Sequence, residues 1–185
     1  MKQNKTNKKF VYLISPNKIK SDNFYTDLAL IFDTKKVSFF QLRLKKETIK
    51  TKLEIGKKIK KICKNYKIKF LINDDPMLAK RLNADGCHLG QKDMDVLKAR
   101  KILRNKIIGV TCHNSINLAK KAIDDKADYL AFGAFYPSQT KIVKYKANLK
   151  ILKLAKKITN TPIVAIGGRK PVSYTHLTLP TTPYG

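Results

Sequence analysis

The chain has 185 residues, 43% of them apolar, which is enough for a single domain with a buried core. Its 40 Lys and Arg against 13 Asp and Glu give a net charge of +27 and raise nucleic acid as a partner, but the basic residues recur along every helix-like segment, with no polybasic tail and no aromatic-interleaved motif, so no specific nucleic-acid partner is expected. No apolar run approaches the roughly 18 residues of a membrane span, the basic start leads into FVYLISP and not into a signal peptide, and three cysteines without a CxxC pair exclude a disulfide framework, so a soluble cytoplasmic protein with reduced thiols is expected.

In chain order, a basic extension at 1–9, expected to be disordered, precedes a strand at 10–16 and a helix at 22–33. A strand at 37–45 (VSFFQLRLK) and a lysine-rich helix at 48–64 follow, then a strand at 69–74 (KFLIND) and a helix at 76–83 opened by Pro76. Next come GCHLG at 86–90, a helix at 95–104, IIGVTCH at 107–113 and a helix at 116–126 with Asn114-Ser115 as its N-cap. YLAFGAFY at 129–136, a helix at 148–159 and PIVAIGG at 162–168 complete the series. Apolar runs alternating with amphipathic segments describe βα units around a parallel sheet. Polar residues end strand after strand, which favours a (β/α)8 barrel over an open doubly wound sheet. The single domain spans 10–170 and lacks an eighth βα unit. From Pro171 the chain reads PVSYTHLTLPTTPYG, without a charged residue. This tail, 171–185, reads as foreign sequence joined to a truncated reading frame, more than as a disordered segment. A barrel so interrupted would expose strand edges and be poorly stable and weakly active.

The chain is poor in acid, yet FLINDDPMLAKRLNADGCHLGQKD gathers Asp74, Asp75, Asp85 and Asp93. Gln41, Arg43 and Lys45 alternate along one strand and would project together into the barrel mouth, where a guanidinium beside an ammonium suits phosphate or pyrophosphate. Asp74 and Asp93, on neighbouring loops, would face that site and hold Mg²⁺. The alternative for Asp93 is a helix N-cap or first-turn acid, while Asp75 reads as a cap and Asp85 as a loop surface residue. Cys87-His88 and Cys112-His113 raise zinc, but adjacent strand residues face opposite ways, so buried thiols and hydrogen-bonded imidazoles are expected. Ser138, Thr140 and Lys141 after Gly133 could clamp a phosphate, Thr111 could add a hydroxyl, and Gly167-Gly168 could present backbone N–H groups.

The motifs QLRLK, LINDD, DGCHLGQKDM, IIGVTCHN, DYLAFGAFYPSQTK and PIVAIGG together closely resemble the thiamine-phosphate synthase family, over about Phe10 to Gly168. The resemblance implies a (β/α)8 TIM barrel that joins a pyrimidine diphosphate to a thiazole phosphate and releases pyrophosphate with Mg²⁺. It implies Arg43, Lys45 and Lys141 as pyrophosphate ligands, Gln41 beside the pyrimidine and Asn73 on the diphosphate. Asp74 and Asp93 take the metal, Thr111 stands where the family commonly has Ser, Ser138 and Thr140 serve the thiazole side, and Gly168 its phosphate. Arg43, Lys45, Thr111 and Lys141 would carry the catalysis. The partners expected are the two small-molecule substrates, with no membrane, and a homo-oligomer stays open. A thiazole tautomerase would need neither the paired carboxylates nor a diphosphate site, and a non-catalytic polyanion-binding module would bind without product.

Overall fold

A computed structural model describes residues 10–136 and 146–167. Its elements in order are β1 (Val11–Ile14), α1 (Asn23–Asp33), β2 (Val37–Leu42), α2 (Ile49–Asn65), β3 (Lys69–Asn73), α3 (Pro76–Arg81) and β4 (Gly86–Leu89). They continue as α4 (Val96–Leu103), β5 (Ile107–His113), α5 (Ile116–Asp124), β6 (Tyr129–Phe132), α6 (Leu149–Ile158) and β7 (Ile163–Ala165). All strand pairs are parallel, and the seven strands lie side by side in sequence order.

The sheet curls into a nearly closed barrel. Five inter-strand steps separate β1 from β6, which in a flat sheet would be about 24 Å at about 4.8 Å per step. The hydroxyls of Tyr12 on β1 and Tyr129 on β6 are instead 2.8 Å apart. Curling splits the apolar residues into two layers. The inner one holds Leu71, Tyr129, Ala131 and Val164, with Tyr12 and Phe39 against them. The larger outer one lies between the strands and the helices, with Phe32, Phe40, Phe70, Ile108 and Leu130 almost wholly excluded from solvent.

Local chemistry sets the element ends. Thr48, Asp75, Asp95, Ser115 and Asn148 each accept a backbone N–H from the first turn of the following helix, and Pro76 occupies the start of α3 where no donor is needed. Asp75 is thus a cap, as expected. Asp85 stands on a loop with its side chain partly exposed, as expected, and also has a structural duty. Its Oδ2 accepts the Phe70 N–H at 2.9 Å while its own N–H donates to the Phe70 carbonyl at 2.8 Å, so it latches the start of β4 to β3. Asp128 repeats the device two strand pairs later. Its Oδ2 accepts from Ile108 N–H at 2.7 Å, its N–H donates to the Ile108 carbonyl at 2.8 Å, and Arg100 Nη2 braces the carboxylate at 2.7 Å. The latches recur because Ala84-Asp85-Gly86 and Ala127-Asp128-Tyr129 stand at the same point of their βαβ units, β3–α3–β4 and β5–α5–β6.

Several strands stop short of their expected ends, β2 and β6 among them. β2 ends at Leu42 and not at Lys45, because its last pairing is with Ile72 and the Arg43 N–H turns to the Ser15 hydroxyl at 2.8 Å. β6 ends at Phe132, its last residue paired with both neighbours, before Gly133 donates to the His113 carbonyl at 3.1 Å.

Two outcomes follow for stability and reactivity. Asp128→Ala leaves the Ile108 N–H and the Arg100 guanidinium without their carboxylate and should lower unfolding free energy by about 1–3 kcal/mol; an unchanged urea midpoint would show that the latch contributes nothing. Burial pushes the thiols of Cys63, Cys87 and Cys112 up to about 12, so a thiol reagent at neutral pH should label none of them in the folded protein and all three in urea.

Candidate active site at the barrel mouth

The C-terminal ends of β2 to β5 carry a concentrated set of polar groups, and backbone turns aim the acidic ones. At the end of β3 the Asp75 N–H donates to the Asn73 carbonyl at 2.9 Å across Asp74, whose φ is +65°. This is a three-residue turn of the rare positive-φ kind, and such strain collects at functional sites. Asp93 closes the loop after β4 by accepting the Gly90 N–H through Oδ2 at 2.7 Å. A Cβ at Gly90 would come within 2.9 Å of that oxygen, so a side chain there would displace the Asp93 carboxylate. Asp93 is therefore not the N-cap of α4; Asp95 is.

The two turns bring the carboxyls of Asp74 and Asp93 together. Partial desolvation, and then the adjoining Asp74 carboxyl, hold Asp93 above the usual carboxylate range, while the Gly90 N–H pulls the other way. Lys45 Nζ lies 3.1 Å from Asp74 Oδ2. Two abutting carboxylates with one nearby ammonium form a donor set that a hard divalent cation would relieve, with substrate oxygens and water completing its shell. Among the described residues no three His, Cys, Asp or Glu gather into a site made by protein alone.

The strand that carries Gln41 ends at Leu42, so Arg43 and Lys45 stand just beyond it. Gln41 is buried and donates from Nε2 to Asn73 Oδ1 at 2.5 Å. Arg43, half-buried, directs Nη1 to Asn17 Oδ1, and Lys45 reaches across to β3.

Beneath the mouth a chain of side-chain hydrogen bonds crosses the interior. From Asn73 it passes through Gln41 to Tyr12 (2.8 Å), Tyr129 (2.8 Å), His88 Nδ1 (2.8 Å) and, from His88 Nε2, Thr111 Oγ1 (2.8 Å). It links six strands, and no buried side-chain polar atom among the described residues lacks a partner. A bulge at Thr111/His113 lets Thr111 stay on this inner side while Cys112 packs outward, fully buried. The Cys87-His88 pair divides between faces as alternation requires, with Cys87 in the outer core and His88 facing inward, and Cys112 also lies in the outer core. Gln91 covers the same edge, donating to the Thr111 carbonyl at 2.5 Å.

Ser138, Thr140, Lys141 and Gly168 lie outside the described residues. Sequence reasoning missed Asn17, Tyr12 and Tyr129. The signal for Tyr129 was present: Gly109 sits beside it in the register, and a Cβ there would meet the Tyr129 ring at 1.8 Å, so a glycine is opposite a ring that must lie flat across β5.

Comparison with known proteins supplies the family. The family model described as thiamine monophosphate synthase matches residues 11–178. Thiamine-phosphate synthase of Pelagibacter ubique (strain HTCC1062) is 75% identical over 179 residues, covering 97% of this chain and 86% of that protein. The enzyme of the same name from Nitrosomonas eutropha is 46% identical over 133 residues, 71% of this chain, and the chain spans 63% of that relative, less than two thirds. Among solved structures, thiamine phosphate pyrophosphorylase from Pyrococcus furiosus superposes with a TM-score of 0.76 at 29% identity, over 90% of this chain and 79% of that one. With a model matched across nearly the whole barrel and a relative three-quarters identical, the chain belongs to the thiamine monophosphate synthase family.

Proposed function

We propose that the protein is a thiamine-phosphate synthase, which couples hydroxymethylpyrimidine diphosphate to thiazole phosphate and releases pyrophosphate. The observation that carries this reading is the pairing of Asp74 with Asp93 beside Lys45, over the Gln41–Asn73 amide pair. In this reading the pyrimidine rests on Gln41, and its diphosphate extends past Asn73 towards Arg43 and Lys45. Mg²⁺, held by Asp74 and Asp93 with diphosphate oxygens, would neutralise charge on the departing group.

Departure of pyrophosphate from the methylene of an electron-rich aminopyrimidine leaves a resonance-stabilised cation, so the protein's main task is to stabilise the leaving anion. Arg43 offers a fork of N–H donors, held ready by Asn17, and Lys45 a point charge. Thr111 supplies a hydroxyl at the mouth side of β5. Ser138 and Thr140 are assigned to the thiazole, Lys141 to the pyrophosphate and Gly168 to the thiazole phosphate, each by its place in the motifs. The thiazole nitrogen attacks the methylene carbon, the C–O bond to diphosphate breaks, and no covalent enzyme intermediate is needed. The same reading gives the enzyme two small-molecule substrates and a place in the cytoplasm; among the described residues no helix is long and apolar enough to cross a membrane.

A pyrophosphate-release assay tests the reading. Release should require both substrates and Mg²⁺, and Asp93→Ala should lower turnover by about 10²–10³-fold, the scale of losing one preorganised charge-stabilising group. Affinity for inorganic pyrophosphate that falls steeply with salt, without any product, would identify a polyanion-binding module instead. Isomerisation of a thiazole phosphate independent of Mg²⁺ and of the pyrimidine would identify a tautomerase.

A further inference from the structure

The six-residue chain beneath the mouth has a direction, because each of its phenols has one proton to give. The Tyr12 hydroxyl donates to Gln41 Oε1 at 2.8 Å. Its contact with Tyr129, also 2.8 Å, must then be donated by Tyr129. The Tyr129 proton being used, the 2.8 Å contact with His88 is donated by His88 Nδ1–H, and in the neutral imidazole Nε2 accepts from the Thr111 hydroxyl. Burial, for Tyr129 reinforced by its neighbour Tyr12, pushes both phenols well above the usual tyrosine range, so each keeps its proton at neutral pH. At the other end Gln41 is held with Nε2 towards Asn73 Oδ1, which puts N–H groups, not carbonyls, at the outer end of the chain.

We propose that Tyr129, buried beneath the mouth, is a positioning residue that sets the direction of this chain and so holds the Gln41 and Asn73 amides as donors towards the pyrimidine diphosphate. Reversing every link would swap both carboxamides and present carbonyl oxygens to ring nitrogens and phosphate oxygens, which repel them. The site is shaped for the tyrosine itself. Its ring stacks on His88 at 5.6 Å between centroids and 23° between planes, it meets the Tyr12 ring at 5.8 Å, and Gly109 leaves room for it with no side chain of its own. The kinetic consequence rests on the synthase reading; the direction of the chain does not.

Two measurements test the proposal. In ¹⁵N NMR of the intact protein, with the His88 signal identified by its loss in His88→Gln, the proton should sit on Nδ1, and Tyr129→Phe should move it to Nε2. Kinetically, Tyr129→Phe should raise the KM for pyrimidine diphosphate ~10–100-fold, the usual cost of losing a supporting partner, with the KM for thiazole phosphate unmoved. Tyr12→Phe severs the same chain one link on, should give the same pair of changes, and stands in where Tyr129→Phe fails to fold. A proton on Nε2 alone in the unaltered protein would overturn the direction. Equal losses on the two substrates, or none, would overturn the positioning role. Absence of turnover in the unaltered protein would count against the synthase reading and leave the NMR result to decide the direction.

Discussion

The contact between the Tyr12 and Tyr129 hydroxyls is the interaction on which the rest of this structure depends. A phenol inside a barrel must find a partner, since an unpaired buried hydroxyl costs more than the bond it forgoes. Here each of the two tyrosines satisfies the other, and the demand passes outward through Gln41 to Asn73 and through His88 to Thr111. Shape and chemistry are thereby one problem. The curl that closes the inner apolar layer is the curl that brings these six side chains into line, and the top of that line is the floor of the mouth.

Scarcity of acid in a chain of net charge +27 makes the placement of each carboxylate informative. In the segment from Phe70 to Asp95, Asp75 and Asp95 cap helices, and Asp85 latches one strand to the next. Asp74 and Asp93 have no such framework duty that would require them to adjoin each other. They are brought together by a positive-φ turn, unfavourable locally, and by a loop that the Asp93 carboxylate closes on the Gly90 N–H. Strain and like-charge contact at one spot, amid carboxylates elsewhere committed to structure, single out the mouth as the place where stability yields to chemistry.

Much of this was legible because side-chain periodicity and turn residues report directly on local structure. All seven strands and six helices occupy their expected stretches, and Pro76 and Ser115 mark helix starts as read. Strand ends were less legible. Alternation persists past the point where pairing stops, so Leu44 is still buried on the outer side although β2 has ended; a strand needs a neighbour, and periodicity does not show one. The latching role of Asp85 went unread for a related reason, as its partner is a backbone N–H on another strand. The juxtaposition of Asp74 and Asp93 was readable from loop order, whereas the tyrosine pair was not, because a tyrosine at a core-facing position looks like any apolar residue until its distant partner is known.

The latches at Asp85 and Asp128 also bear on the order in which the molecule assembles. They join residues 15 and 20 positions apart, whereas the two tyrosine hydroxyls are 117 positions apart. Closing a short loop costs less entropy than closing a long one, and contacts of high sequence separation come late. Neighbouring strands can therefore be pinned at their lower ends while the sheet is still open, each pair as a local unit. The floor of the mouth is then the last part to form on folding and, by the same reasoning, among the first to be lost when the barrel loosens.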